Sequence, residues 1–378
     1  MTWMTSKQRM LTALTRGKSD RLPVTTHHVM RYFLDTYLGG ISSLDFFDEF
    51  GFDAYQWIVP IQGELGKSWL NEWGVLESES WRVSREEANG SSFPGYRYTI
   101  TTPKGRLTME VQHNSYTEWV TGRPIKQKAD IELLAEFLPA QLCDQTQVNS
   151  AAKALGERGL LRGNIPCFDI YGQPGCWQDA ACLVGIEPLI LATYDDPGWV
   201  HELLGILQRR RLNYIQSLRG AAYDLLELGG GDASSTVISP KLFDRFVAPY
   251  DHVLIQAAHA AGQRIVYHTC GGMMPLLERI ADLEPDAMET FTPVGMGGDV
   301  NLREAKRRIG ERVCMIGGFD QFHFFIDTTP EKTRAEVRRC FEEAGEGGGF
   351  ILSPSDHFFD AEPVLIAAFA DEARRCIY

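Results

Sequence analysis

The sequence predicts an α/β fold, a single (β/α)8 TIM barrel carrying a β-hairpin, Trp-rich insertion after the second strand. Three observations lead there. From about residue 159 onward, short apolar runs alternate with helical patterns. Six such strand-helix units follow the insertion and two strand-like runs precede it, which makes eight. Ionisable residues gather where the apolar runs stop, as they do at the C-terminal face of a barrel. The chain of 378 residues, 44% hydrophobic and 23% charged, is long enough for one large core spanning 1–378.

The elements read in order as follows. A first helix has Ser6 as its candidate cap and Met10, Leu11 and Leu14 on one face, and ends near Gly17. Asp20-Arg21-Leu22-Pro23-Val24 leads into a short strand that stops at His27-His28, and a second run, 53–59, stops at Pro60. The insertion covers 61–125. Five of the eight tryptophans fall in or just before it, namely Trp57, Trp69, Trp73, Trp81 and Trp119. Its core is a hairpin: Tyr96 to Thr101 alternates, Pro103-Lys104-Gly105 turns, and Leu107 to Val111 returns. Such aromatics serve as a packed lid or as a surface for pairing two copies into a homodimer. After a helix at 130–137, strands are expected at 159–165, 223–228, 264–268, 286–291, 313–316 and 349–352. Helices are expected at 177–193, 199–219, 240–261, 274–281, 302–309, 330–344 and 363–376. Asp196-Pro197 and Ser239-Pro240 suit helix starts, with proline in the first turn.

Charge and cysteine usage exclude several classes. A net charge of −13 repels nucleic acid and anionic membranes, so neither is expected as a partner. No apolar run approaches a membrane span, and the first sixteen residues lack the apolar stretch of a signal peptide. The eight cysteines are scattered, with no C-x-x-C, which favours reduced thiols and a cytoplasmic location.

The chemistry is expected at the strand ends. Tyr267-His268-Thr269-Cys270-Gly271-Gly272 closes a strand at a glycine turn, so an imidazole and a thiol two residues apart project to one side. Zinc takes that pair readily. In isolation the same pair reads as a core histidine beside a buried free cysteine. Further ligand types close neighbouring strands: Glu227, Glu289, and Asp356 with His357. Asp356 also reads as a helix-start charge, and the two glutamates as salt-bridge partners inside the barrel mouth. Asn164, Asp232 and Asp320 lie at other strand ends, Asp320 being a further candidate acid. Gly229, Gly230 and Gly318 are read as turns where a large ligand, a cofactor included, could approach the backbone. Ser235 and Thr236 have no histidine spaced as in a hydrolase elbow.

These segments together resemble the uroporphyrinogen decarboxylase superfamily over nearly the whole length. The markers are residues 9–24 (RMLTALTRGKSDRLPV), Tyr194 to Pro197, 227–250 (ELGGGDASSTVISPKLFDRFVAPY), 267–272 (YHTCGG), 299–307, Gly317 to Asp320, and 347–354 (GGGFILSP). The resemblance implies an α/β barrel and one of two chemistries. True uroporphyrinogen decarboxylases use no cofactor and grip substrate carboxylates with an R-Q-A-G-R segment. The corresponding stretch here, 25–35 (TTHHVMRYFLD), holds one arginine, Arg31, a poor match to a polycarboxylate tetrapyrrole. The other branch, similar to corrinoid-linked methyltransferases, binds zinc through an H-x-C pair and a later cysteine. His268 and Cys270 match the pair. The later cysteine is replaced by Ser353-Pro354-Ser355-Asp356-His357, so Asp356 or His357 would complete the site. An oxygen or nitrogen there makes zinc more Lewis acidic than a second thiolate would. The insertion segment 102–108 and Ile125-Lys126 also resemble this branch.

The expectation is therefore a zinc-dependent methyltransferase. It would move a methyl group between a small methoxylated or methylated compound and a corrinoid (cobalamin) on a partner protein. Zinc would sit at His268, Cys270 and Asp356 or His357, with Glu227 or Glu289 as further ligand or acid/base. The alternatives are a metal-independent decarboxylase, with Arg31 gripping substrate and Asp232 or Asp320 stabilising a protonated ring, and a non-catalytic corrinoid- or tetrapyrrole-binding protein.

Overall fold

Seven strands hydrogen-bond side by side, all parallel, into one curled sheet. They are β1 (Ala54–Trp57), β6 (Gly159–Asn164), β7 (Leu225–Gly229), β8 (Ile265–His268), β9 (Ala287–Thr290), β10 (Cys314–Phe319) and β11 (Phe350–Pro354), in that order. Strands β2 (Arg82–Glu87), β3 (Gly95–Thr102), β4 (Gly105–His113) and β5 (Glu118–Gly122) make a separate antiparallel sheet. The computed structural model describes residues 3–62, 77–88, 93–168 and 172–378.

The sheet is barrel-like because its two edges meet the same segment. Thr25 donates to Leu352 and Leu352 donates to Pro23 (both N–O 2.9 Å), while Asp53 N donates to Val24 O at 2.7 Å. The expected first strand is thereby reduced to a single bridge, Val24 with Leu352. Pro23 has no N–H to give, which limits how far that segment can pair. Side chains hold it instead. Asp53 is buried and accepts from Arg9, Arg21 and the Val24 amide, and Asp20 accepts from Arg9. The N-terminal sequence marker thus closes the sheet.

Most expected helices form with their expected ends, including Asp130–Phe137, Leu302–Ile309 and Pro330–Ala344. Three differ. The first helix, Ser6–Leu14, is capped by Thr5 in a reciprocal pair with Gln8, not by Ser6, whose hydroxyl accepts from Ala54 N. The run 177–193 is two helices, Cys176–Val184 and Ile186–Asp195, broken at Gly185 with φ 101°. The run 240–261 contains a π-helical turn, Phe243–Val247, just before Pro249, whose missing N–H spoils the ordinary helical ladder.

The insertion is larger than one hairpin. Strands β3 and β4 pair as expected, with Thr102 opposite Gly105 across Pro103-Lys104, but β2 and β5 extend the sheet on either side. Trp81 is fully buried there and Trp57 lies on β1, while Trp69 and Trp73 lie outside the described residues. The turn between β4 and β5 reaches the barrel mouth. Its Tyr116 ring lies 4.5 Å from Tyr32 and 5.7 Å from Phe359, centroid to centroid. Among the described residues no helix is long and apolar enough to cross a membrane.

Candidate active site

Strand register puts one set of polar side chains on the inner face. Asn164 lies opposite Glu227, Gly229 opposite His268, and His268 opposite Glu289. Residues two apart share a face, so Arg162, Glu227, His268 and Glu289 all point inward. All four are nearly inaccessible.

They form one network. Arg162 grips Glu289 with two bonds, Nη1 to Oε2 at 3.0 Å and Nη2 to Oε1 at 2.9 Å, and also donates to Glu227 at 3.2 Å. Its guanidinium stacks over Trp57 at 4.3 Å and Tyr55 at 4.7 Å. Glu289 Oε1 lies 3.1 Å from His268 Nδ1, and the Cys270 thiol follows two residues beyond the His268 ring. From the closing segment His27 reaches in, with Nε2 2.8 Å from Glu227 and 3.4 Å from Glu289. The ligand atoms of His27, Glu227, His268 and Glu289 all lie within 4.8 Å of one another.

The electrostatics divide the two carboxylates. Burial pushes both up, but for Glu289 the Arg162 guanidinium, His27 and His268 together outweigh it and hold the group well below the usual carboxylate range. Glu227, less well compensated, is pushed up to about 8. Burial lowers His268 too, but Glu227, Cys270 and Glu289 raise it well above the ordinary imidazole value. Burial keeps His27 and His28 well below it. The backbone beside this network is strained. Thr290, next to Glu289, has φ 89° and Phe291 has φ 49°. Positive φ is costly for a β-branched residue, and such outliers gather at functional sites.

Cys270 stands where two cavities meet. One, about 550 Å³, is lined by Gln321, Phe322, Ile326, His357, Phe358 and Phe359 among others. The other, about 500 Å³, takes in Trp119 and Arg123 of the insertion side together with Asp232. Gln173, Cys270 and Asp356 border both. Gly231 makes room for the thiol, since a Cβ there would lie 2.6 Å from Cys270 Sγ. At Asp356 partial burial pushes the carboxyl up, but His357 outweighs it and holds the group below the usual range.

The structure thus brings His268, Glu227 and Glu289 together with His27, and places Cys270, Asp356 and His357 along the cavity at the mouth. Among the described residues, Cys270 belongs to no trio of ligand atoms within 4.8 Å of one another. Asp320 stands apart. It caps the short helix Gln321–Phe324 and pairs with His323 Nδ1 at 2.9 Å. The space beside the three glycines is taken by protein. A Cβ would meet the His268 carbonyl at Gly229, the Gln178 side chain at Gly230, and the Leu302 side chain at Gly318. Two residues central to the site, Arg162 and His27, were not among the assigned candidates. His27 showed itself as a histidine at a strand end. Arg162 showed itself only as a charge inside an apolar run.

A parallel α/β barrel-like sheet with a buried imidazole–carboxylate cluster at its C-terminal mouth has the build of an enzyme. The chain belongs to the uroporphyrinogen decarboxylase (URO-D) family, whose model matches residues 96–376. It is 26% identical over 243 residues to the uroporphyrinogen decarboxylase of Pseudoalteromonas translucida (strain TAC 125), covering 61% of this chain and 63% of that protein. The chain thus spans less than two thirds of that relative's length. It is 27% identical over 287 residues to the one from Vibrio campbellii (strain ATCC BAA-1116), covering 72% and 75%. A solved structure titled as a methyltransferase from Methanosarcina mazei superposes with a TM-score of 0.65 at 17% identity, covering 98% of both chains. That likeness establishes a shared fold.

Proposed function

We propose that this protein is a zinc-dependent methyltransferase moving a methyl group between a small methoxylated or methylated compound and a corrinoid on a partner protein. The observation that carries the reading is the placement of Cys270, two residues beyond the inward-facing His268, where two large cavities meet. The donor types fit zinc, with an imidazole at His268, a thiol at Cys270 and a carboxylate at Asp356, whose ligand atoms would draw together on the ion. His268 and Cys270 would hold the ion, with Asp356 completing it from the last strand, because His357 is turned toward other rings. Zinc, when bound, supplies Lewis acidity toward the oxygen that loses the methyl group.

The rest is the work of this chain. Glu289, gripped by Arg162, takes Nδ1 of His268 and so orients the ring, as carboxylates do behind metal-bound histidines. Glu227, pushed up to about 8, can carry a proton at neutral pH and give it to a leaving oxygen. Phe322, Phe358 and Phe359 wall the cavity and exclude water from the bound donor. The similarity in fold to a protein named as a methyltransferase supports this reading.

The names of the sequence relatives favour decarboxylation as a second reading. Decarboxylation of a polycarboxylate needs cations to grip it. Arg31 is exposed and paired with Asp35, and among the described residues lining the two large cavities the one arginine or lysine is Arg123. Zinc analysis of purified protein before and after a chelator tests the proposal. It expects bound zinc and activity lost on removal. No zinc bound and none taken up would end it.

A further inference from the structure

The closure of the barrel brings three further imidazoles together. His27 and His28 follow the closing segment, and His357 follows β11, its hydrogen-bonded neighbour. One ligand atom from each of His27, His28 and His357 lies within 4.8 Å of the other two. Their ring centroids are 4.3 Å (His27–His28), 5.2 Å (His28–His357) and 5.6 Å (His27–His357) apart. All three are half-buried.

The surroundings hold the rings in place. Trp57 donates from its indole nitrogen to the His27 carbonyl at 2.9 Å, and its ring backs His28 at 4.4 Å. Histidines that bind metals usually hand their second nitrogen to a carboxylate. Glu227 is that partner for His27, at 2.8 Å, and Asp356 for His357, at 3.4 Å. No hydrogen bond to the His28 ring is found among the described residues. His357 lines the cavity of about 550 Å³.

We infer that His27, His28 and His357 form a second metal site at the barrel seam, one that takes a divalent cation of the zinc class. Three imidazoles with a fourth position left open make a catalytic type of zinc site. Zn–N bonds of about 2.1 Å in tetrahedral geometry require nitrogens roughly 3.4 Å apart, and the three ligand atoms already lie within 4.8 Å of one another. His357 lines the large cavity, so a water or a substrate oxygen held there would be within reach of the fourth position. The site goes beyond the methyl-transfer reading and stands on different ligands from His268 and Cys270.

The test is zinc stoichiometry. Full-length protein is stripped with a chelator, reloaded with zinc, freed of loose metal and analysed per chain. Wild type should hold about two equivalents, and His28→Ala and Cys270→Ala about one each, since each removes a ligand from a different site. The double variant should hold almost none. His28→Gln, similar in size and unable to ligate as imidazole does, repeats the test if His28→Ala melts early. Cobalt(II) loaded into Cys270→Ala should give visible ligand-field bands without a thiolate charge-transfer band. A single equivalent, lost in Cys270→Ala and retained in His28→Ala, would overturn the second site and leave the methyltransferase reading standing. A single equivalent lost in His28→Ala alone would keep this site and sink the His268–Cys270 centre. Absence of any zinc overturns both.

Discussion

At the scale of single residues, the pair His268 and Cys270 was legible because a strand's two-residue period puts both side chains on one side. Arg162 was not, because its facing depends on register with β7, which no local pattern reveals. Five single substitutions test these assignments. Cys270→Ala should lose the zinc shared with His268 and lose activity, with the melting temperature of the metal-free protein little changed; full retention of metal and rate would make Cys270 a packing residue. Asp356→Ala and His268→Ala should each lose the metal that Cys270 binds, read by metal analysis, whereas His357→Ala should retain it. Because His268 is raised well above its ordinary value without metal, zinc must displace a proton there, so zinc affinity should fall as pH falls. Arg162→Met leaves buried Glu289 without its guanidinium and should cost about 3–5 kcal/mol in denaturant unfolding. Adding Glu289→Gln should recover part of that loss; a neutral single substitution would contradict the network.

At the scale of elements, the parallel strands were legible as apolar runs ending at glycine turns, and most helices by their caps. The closing segment was harder. Pro23 cuts its pairing to one bridge, and the buried charges of Arg9, Arg21 and Asp53 do what ladder bonds do elsewhere. The insertion's outer strands were missed because β2 is exposed along most of its length and lacks a clean alternation. Gly229 couples an element to the site. Its φ is 104°, and a Cβ would sit 2.3 Å from the His268 carbonyl oxygen. Gly229→Ala should therefore push β7 from β8, cost roughly 1–3 kcal/mol in strain, and weaken metal binding through His268. Thermal unfolding and zinc content both read it, and an unchanged zinc content would separate the glycine from the site.

At the scale of the whole molecule, barrel closure turns separate strand ends into one mouth. Histidines distant in sequence, His27, His28, His268 and His357, meet there only because β11 and β1 bond to the same segment. That is why their grouping could not be read along the chain. The charge of −13 and the scarcity of basic groups in the cavities make a polyanionic substrate a poor match, and the aromatic wall suits an uncharged methyl ether. The most direct measurement mixes zinc-loaded protein with cob(I)alamin and a panel of methoxyphenols and follows the visible spectrum. Conversion to the methylated cobalt form is expected with at least one donor, and should be lost when zinc is stripped or Cys270 is replaced by Ala. No conversion with any donor, together with carbon dioxide release from uroporphyrinogen that survives the chelator, would contradict the methyltransferase reading.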